Sequence, residues 1–198
     1  MATTTRREPS VFNLPNQLTA SRLVLALVLF VLIEWALWAA CIGVFAVAAA
    51  TDWLDGYFAR KQGLVSTLGR NLDPLVDKVL VCGAYIFLLP VANAGLSAWI
   101  VTVVVARELI ITSLRSFMEN RGATFGADWL GKIKMGLQCG ALFAIFVALG
   151  MTEPPAETPQ PWALIRDLFV WSMLVATALS GLQYLWRAAL VLRTNGEL

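Results

Sequence analysis

The chain contains no histidine among its 198 residues. That removes every imidazole base, every histidine-dependent triad and every histidine metal ligand. Charge is also scarce: Asp, Glu, Lys and Arg together make up 14%, against roughly 25% in a soluble domain. With 59% of residues hydrophobic and no long polar stretch, no separate soluble domain can be built. Only 3 cysteines occur, Cys41, Cys82 and Cys139, spread through apolar runs. They form no C-x-x-C pair and read as buried thiols rather than a disulfide framework. The formal net charge of +2 is too small to argue for a nucleic-acid partner, and none is expected.

What is present is a series of apolar runs, each close to the about 20 residues that cross a bilayer. The expectation is an all-α integral membrane protein with six transmembrane helices. The runs are Leu18–Ile33, Leu37–Phe58, Pro74–Pro90, Leu96–Phe117, Ile133–Gly150 and Leu164–Leu192. A polar segment, 1–21, precedes a single membrane domain, 22–198. It carries no small-residue cleavage site after the first apolar run, so a removed signal is not expected. Thr19 is a candidate N-cap for the first helix. The proline-rich stretch Met151–Pro161 reads as a loop.

Lys and Arg near span ends mark the cytoplasmic side. Arg6, Arg7, Arg22, Arg60, Lys61, Arg70, Arg121, Lys132, Lys134, Arg187 and Arg193 collect on one side. The opposite loops, around Glu34, Val91–Gly95 and Met151–Pro161, carry none. Both termini are therefore expected in the cytoplasm, in a multi-pass protein of the inner (cytoplasmic) membrane type.

The chemistry concentrates between the second and third spans. Asp52 and Asp55 stand three apart at the end of span 2, and Asp73 and Asp77 four apart at the start of span 3. Those spacings put each pair on one helical face. Two neighbouring spans joined by a short linker would bring four carboxylates to one depth, with Asp73 capping the helix and Pro74 opening it. One such carboxylate alone is as easily a helix cap. Four together repel one another and resist desolvation. Hard divalent cations answer both problems, since carboxylate oxygen is the donor that magnesium and manganese prefer. A bridged cation pair also suits phosphoryl chemistry, because it neutralises a pyrophosphate and stabilises attacking and leaving oxygens.

The pattern Asp52-x-x-Asp55-Gly56-x-x-Ala59-Arg60, followed by Gly69, Asp73 and Asp77, resembles the signature of the CDP-alcohol phosphotransferases. The resemblance implies six spans with the active site at the cytoplasmic ends of spans 2 and 3. It implies Asp52, Asp55, Asp73 and Asp77 as ligands of two Mg2+ or Mn2+ ions, with Asp77 also the base for the acceptor hydroxyl. Asp52, Gly56, Ala59, Arg60 and Gly69 would shape the CDP pocket. Glycine and alanine let a nucleotide approach the backbone, and an arginine can fork onto pyrophosphate oxygens. A homodimer is likewise implied.

Span 4 carries Arg107 and Glu108 deep in an apolar run, where ionisable groups are costly and usually functional. Glu108, Thr112, Arg115 and Glu119 follow one helical stripe. An Arg–Glu lock between helices is one reading. The other is a pocket for a charged acceptor, with Arg107, Arg115, Lys132 and Lys134 holding a phosphate. The segments N13-L-P-N-Q-L-T-A-S-R22, L72-D-P-L-V-D-K-V-L80, A106-R-E-L-I-I-T-S-L-R115 and G131-K-I-K134 resemble the phosphatidylglycerophosphate synthase branch of the family. Met135 departs from it, standing where that branch suggests a threonine. The branch implies CDP-diacylglycerol and sn-glycerol 3-phosphate as substrates, with phosphatidylglycerophosphate and CMP as products. Acceptors such as serine, inositol phosphate or phosphatidylglycerol are alternatives within the same chemistry. A prenyltransferase and a divalent-cation transporter are rivals of other kinds. The transporter would hold its carboxylates near the midplane rather than at a helix end.

Overall fold

The computed structural model describes residues 14–62, 67–120, 129–151 and 161–194, with side chains described for 20–51, 75–118, 129–151, 161–191 and 193. Six helices account for nearly all of them: α1 (Leu14–Glu34), α2 (Trp38–Gln62), α3 (Thr67–Leu88), α4 (Ala98–Asn120), α5 (Trp129–Met151) and α6 (Pro161–Thr194). The six apolar runs each correspond to one helix, but three local expectations are corrected. Helix α1 begins at Leu14, so Thr19 lies inside it and does not cap it. Pro15 sits in the first turn, where its missing N–H costs no intrahelical bond. Helix α3 begins at Thr67, two turns ahead of Pro74, so Asp73 is not its N-cap and Pro74 does not open it. A helix continues for as long as its backbone can bond, well past the point where its residues stop being apolar. A proline inside a helix removes one bond of the ladder and crowds the carbonyl four residues back, a cost of about 3 kcal/mol that the rest of α3 carries.

The α1–α2 connection is tight. Ala36 N–H donates to the Ile33 carbonyl and Leu37 N–H to the Leu32 carbonyl, both at 3.0 Å. That pair of bonds is the Schellman stop, with Ala36 in the left-handed region at φ 54°. The α3–α4 loop turns through Asn93 at φ 62° and Gly95 at φ 71°. Arg166 of α6 donates to the Asn93 carbonyl and pairs with Asp167 at 2.8 Å.

In space the helices form a ring in the order α1, α2, α5, α6, α4, α3, with α3 also touching α5 across the middle. Among the described residues α1 therefore lies along both α2 and α3 and bridges them. The core is sealed by Leu29, Ile33, Tyr85, Leu88, Val104, Leu142, Ile145, Phe146, Val170 and Met173. Two glycines set how closely helices approach. A Cβ on Gly83 of α3 would fall 2.2 Å from Phe30 Cζ of α1, and one on Gly140 of α5 would fall 2.8 Å from Phe169 Cε1 of α6. Small residues at helix contacts are how apolar bundles gain van der Waals packing when lipid is as greasy as leucine.

The outside is apolar as well. Leu23, Val24, Leu27 and Val31 on α1, and Leu164, Leu168, Val175 and Leu182 on α6, are exposed. An apolar surface of that extent has no favourable contact with water, whereas hydrocarbon accepts it. By length and composition, α5 and the stretch Pro161–Val191 of α6 are long and apolar enough to cross a membrane.

Candidate active site

Helix α4 introduces charge into this bundle, and its partners come from α5 and α6. Glu108 is 7% exposed. Its Oε1 accepts from Arg107 Nη1 at 3.1 Å and from Lys134 Nζ of α5. Arg107 Nη2 donates to Ser180 Oγ of α6 at 2.7 Å, and Ser180 Oγ donates to the Thr177 carbonyl. Two turns along α4 from Glu108, Arg115 Nη2 donates to the Tyr184 hydroxyl at 2.6 Å. The Tyr184 ring faces both guanidinium groups, with Arg107 Cζ 5.9 Å and Arg115 Cζ 5.3 Å from its centroid. Arginine over an aromatic face is favourable, the more so where water is excluded. Thr112 Oγ1 returns its proton to the Glu108 carbonyl at 2.6 Å, so this side chain serves its own helix. Beneath the cluster the Tyr85 hydroxyl donates to the Gln138 carbonyl at 3.0 Å.

Among the described residues this cluster holds more cations than carboxylates. Arg107 and Lys134 share Glu108 at close range, Arg115 bonds Tyr184 instead, and Lys78 lies within electrostatic range of Glu108, Arg115 and Asp77. Arg107 Nε is buried with no acceptor among the described residues. Cations gathered at the edge of an apolar interior attract an anion. A phosphate group, with several acceptor oxygens, fits guanidinium and ammonium donors arranged around one space.

Asp77 belongs to a second polar contact, one that ties α1 to α3. Its Oδ1 accepts from Arg22 Nη1 at 2.5 Å. The Arg22 side chain is 4% exposed and that of Asp77 is 29% exposed, so the carboxylate keeps a face toward open space while its partner is enclosed.

The remaining expected residues divide clearly. Asp52, Asp55, Gly56, Ala59 and Arg60 lie on the last turns of α2, and Gly69 and Asp73 on the first turns of α3. Their side chains fall outside the described residues. Arg107, Arg115 and Lys134 come together. Lys132 is exposed on the first turn of α5 and does not join them. Met135 is 41% exposed and so lies off the face that Lys134 presents to Glu108. Arg22, Ser180 and Tyr184 were not anticipated as site residues. Arg22 reads as a positive-inside anchor, and its hints are a position inside an apolar run and its place at the end of the N13–R22 segment.

Among the described residues no group of three or more His, Cys, Asp or Glu is gathered. The donor set of the α2 and α3 signature is oxygen throughout, with no thiolate or imidazole within it. That chemistry fits a hard divalent cation and disfavours zinc or copper.

Residues 12–191 match the family described as CDP-alcohol phosphatidyltransferase. A Bacillus subtilis (strain 168) protein named CDP-diacylglycerol–glycerol-3-phosphate 3-phosphatidyltransferase is 34% identical over 201 positions, covering 93% of this chain and 100% of the relative. The Escherichia coli (strain K12) protein of the same name is 37% identical over 141 positions, covering 66% of this chain and 75% of the relative. A match over nearly the whole length, with the signature carboxylates in place, makes this chain a member of the CDP-alcohol phosphatidyltransferase family, and an enzyme.

Proposed function

We propose that this enzyme transfers the phosphatidyl group of CDP-diacylglycerol to sn-glycerol 3-phosphate, giving phosphatidylglycerophosphate and CMP. The observation that carries the choice of acceptor is the gathering of three cations, with Arg107 and Lys134 enclosed on Glu108 and the exposed Arg115 joined to Arg107 through Tyr184. Serine offers one carboxylate offset by its own ammonium, whereas a phosphate monoester dianion brings two charges with no internal cation to meet them. The relatives named for this reaction support the same acceptor.

In the reaction a hydroxyl oxygen of the acceptor attacks the phosphorus that bears the diacylglycerol. The bond from that phosphorus to the bridging oxygen breaks, and CMP leaves with that oxygen. Asp77 takes the hydroxyl proton. Arg22 holds the Asp77 carboxylate from the α1 side, so its open face turns to the acceptor. Arg107, Arg115 and Lys134, with Lys132 at the rim, hold the acceptor's phosphate and leave its hydroxyl end free. Gly56, Ala59, Arg60 and Gly69, with Asp52, line the cytidine diphosphate side. The family generally uses divalent metal ions. Asp52, Asp55, Asp73 and Asp77 would hold two, Mg2+ or Mn2+, which supply charge neutralisation of the pyrophosphate.

We place all six helices across a bacterial-type inner membrane, with both termini and the signature carboxylates on the cytoplasmic side. The basic residues at the Asp77 end support this orientation. At the opposite end Arg166 is matched by Asp167. CDP-diacylglycerol then reaches the site sideways from the membrane lipids while its nucleotide stays in water. A homodimer follows from the family resemblance. The test is CMP release by purified protein in detergent, with glycerol 3-phosphate, serine, inositol phosphate and phosphatidylglycerol compared, each with Mg2+, Mn2+ or EDTA. Release confined to glycerol 3-phosphate and abolished by EDTA is expected. Glycerol 3-phosphate performing no better than a blank overturns the acceptor, and full release in EDTA overturns the metal site.

A further inference from the structure

We infer that α6 sets acceptor selectivity without touching the reacting atoms: Tyr184, backed by Ser180 and Gly181, fixes Arg107 and Arg115 in the arrangement that grips the acceptor's phosphate. The inference rests on the reaction proposed above. Three independent contacts carry it. The Tyr184 hydroxyl accepts from Arg115 Nη2 at 2.6 Å, and its ring lies under both guanidinium groups. Ser180 Oγ accepts from Arg107 Nη2 at 2.7 Å. A Cβ on Gly181 would stand 3.3 Å from Arg107 Cγ, so the bare backbone there makes the channel through which the arginine stem passes.

Ser180, Gly181 and Tyr184 recur at three- and four-residue steps and so share one face of α6. Tyr184 is 3% exposed and Ser180 is fully buried, so neither is placed to meet bulk solvent. Arginine has costly rotamer freedom. Two arginines held by a third helix before the ligand arrives lose less of it on binding, and preorganisation of this kind acts on affinity. Tyr184 is therefore a positioning residue. Removing its hydroxyl frees Arg115 while the ring still supports both cations. Removing the ring also takes one support from Arg107, which keeps Glu108 and Ser180. The nucleotide and lipid side, built on α2 and the start of α3, has no contact with this face among the described residues.

The test compares Tyr184→Phe, Tyr184→Leu and Ser180→Ala in detergent-purified protein. KM is measured for glycerol 3-phosphate and for CDP-diacylglycerol, and equilibrium binding of glycerol 3-phosphate is measured without the lipid nucleotide. Tyr184→Phe is expected to raise the glycerol 3-phosphate KM and dissociation constant about tenfold, the scale of one charge-assisted hydrogen bond. The CDP-diacylglycerol KM and kcat should stay within about twofold, the insensitivity expected when only ground-state binding of the other substrate is lost. Tyr184→Leu should do more and Ser180→Ala less. If either Tyr184 variant does not fold, the Ser180→Ala split decides. Equal movement of both KM values, or of neither, overturns the positioning role and leaves the reaction standing. Wild-type protein using a different phosphorylated acceptor, with the same split for that acceptor, overturns the choice of acceptor but sustains the role of α6.

Discussion

Replacing Glu108 with glutamine separates a helix lock from a substrate pocket. The Glu108 carboxylate is the partner shared by Arg107 and Lys134, and the three side chains are only 10%, 12% and 6% exposed. Arg107 retains Ser180 and the Tyr184 ring when the carboxylate goes. Lys134 loses the charge it is bonded to while remaining buried. Removing one partner of an enclosed ion pair costs about 3–5 kcal/mol. The glutamine oxygen can still accept from the ammonium, which places Glu108→Gln near about 3 kcal/mol. Adding Lys134→Met removes the stranded cation and should recover about 1–2 kcal/mol, and Lys134→Met alone, which leaves Glu108 its Arg107 partner, completes the double-mutant cycle. Reversible unfolding in mixed micelles measures the three variants, and glycerol 3-phosphate titrations accompany it. A pure lock predicts that the double variant regains full affinity for the acceptor along with its stability. A pocket predicts recovered stability with a KM still raised, because Lys134 no longer meets the phosphate. A single Glu108→Gln cost below about 0.5 kcal/mol would refute the buried-pair reasoning altogether.

Asp77→Asn should leave CDP-diacylglycerol binding intact while lowering kcat by about 10² or more, the usual loss for a general base; retained turnover removes that role. Arg22→Gln should destabilise the protein by about 2–3 kcal/mol, at or below the low end for a buried pair because Asp77 keeps some exposure. Arg22→Lys should restore part of that in thermal unfolding, and no difference between the two variants would mean that the guanidinium is not what holds Asp77. Gly83→Ala forces a carbon against Phe30 and should cost about 1–3 kcal/mol. Phe30→Leu in the same background should relieve it, and an additive result would show that the two do not meet.

The six helices were legible because apolar runs near bilayer length are hard to read any other way, but their ends were not. Hydrophobicity reports where a helix lies in oil, whereas α1 and α3 keep bonding their backbones through polar residues at Leu14–Thr19 and Thr67–Asp73. The stripe of α4 was legible too, since Arg107 and Glu108 in an apolar run must be accounted for. Which lysine of α5 would answer Glu108 was not. Residues two apart on a helix point about 200° away from each other, so Lys132 and Lys134 cannot both face the bundle. The choice depends on the rotation of α5, which its nearly uniform apolarity leaves unmarked. Arg22 and Asp77 stand 55 positions apart, and only the packing of α1 against α3 joins them. Tyr184 carried no signal of its own: one aromatic ring in a long apolar helix is ordinary until two arginines are found leaning on it.

The order of helices around the ring bears on how the chain is assembled. Helix α4 leaves the ribosome with Arg107, Glu108 and Arg115 before Lys134, Ser180 and Tyr184 have been made. Until the last two helices arrive, those charges have one another and, among the described residues, Lys78 of α3. A chain stopped after α4 would therefore lack the bonds that Lys134, Ser180 and Tyr184 supply, and the fourth helix is completed only by the last two.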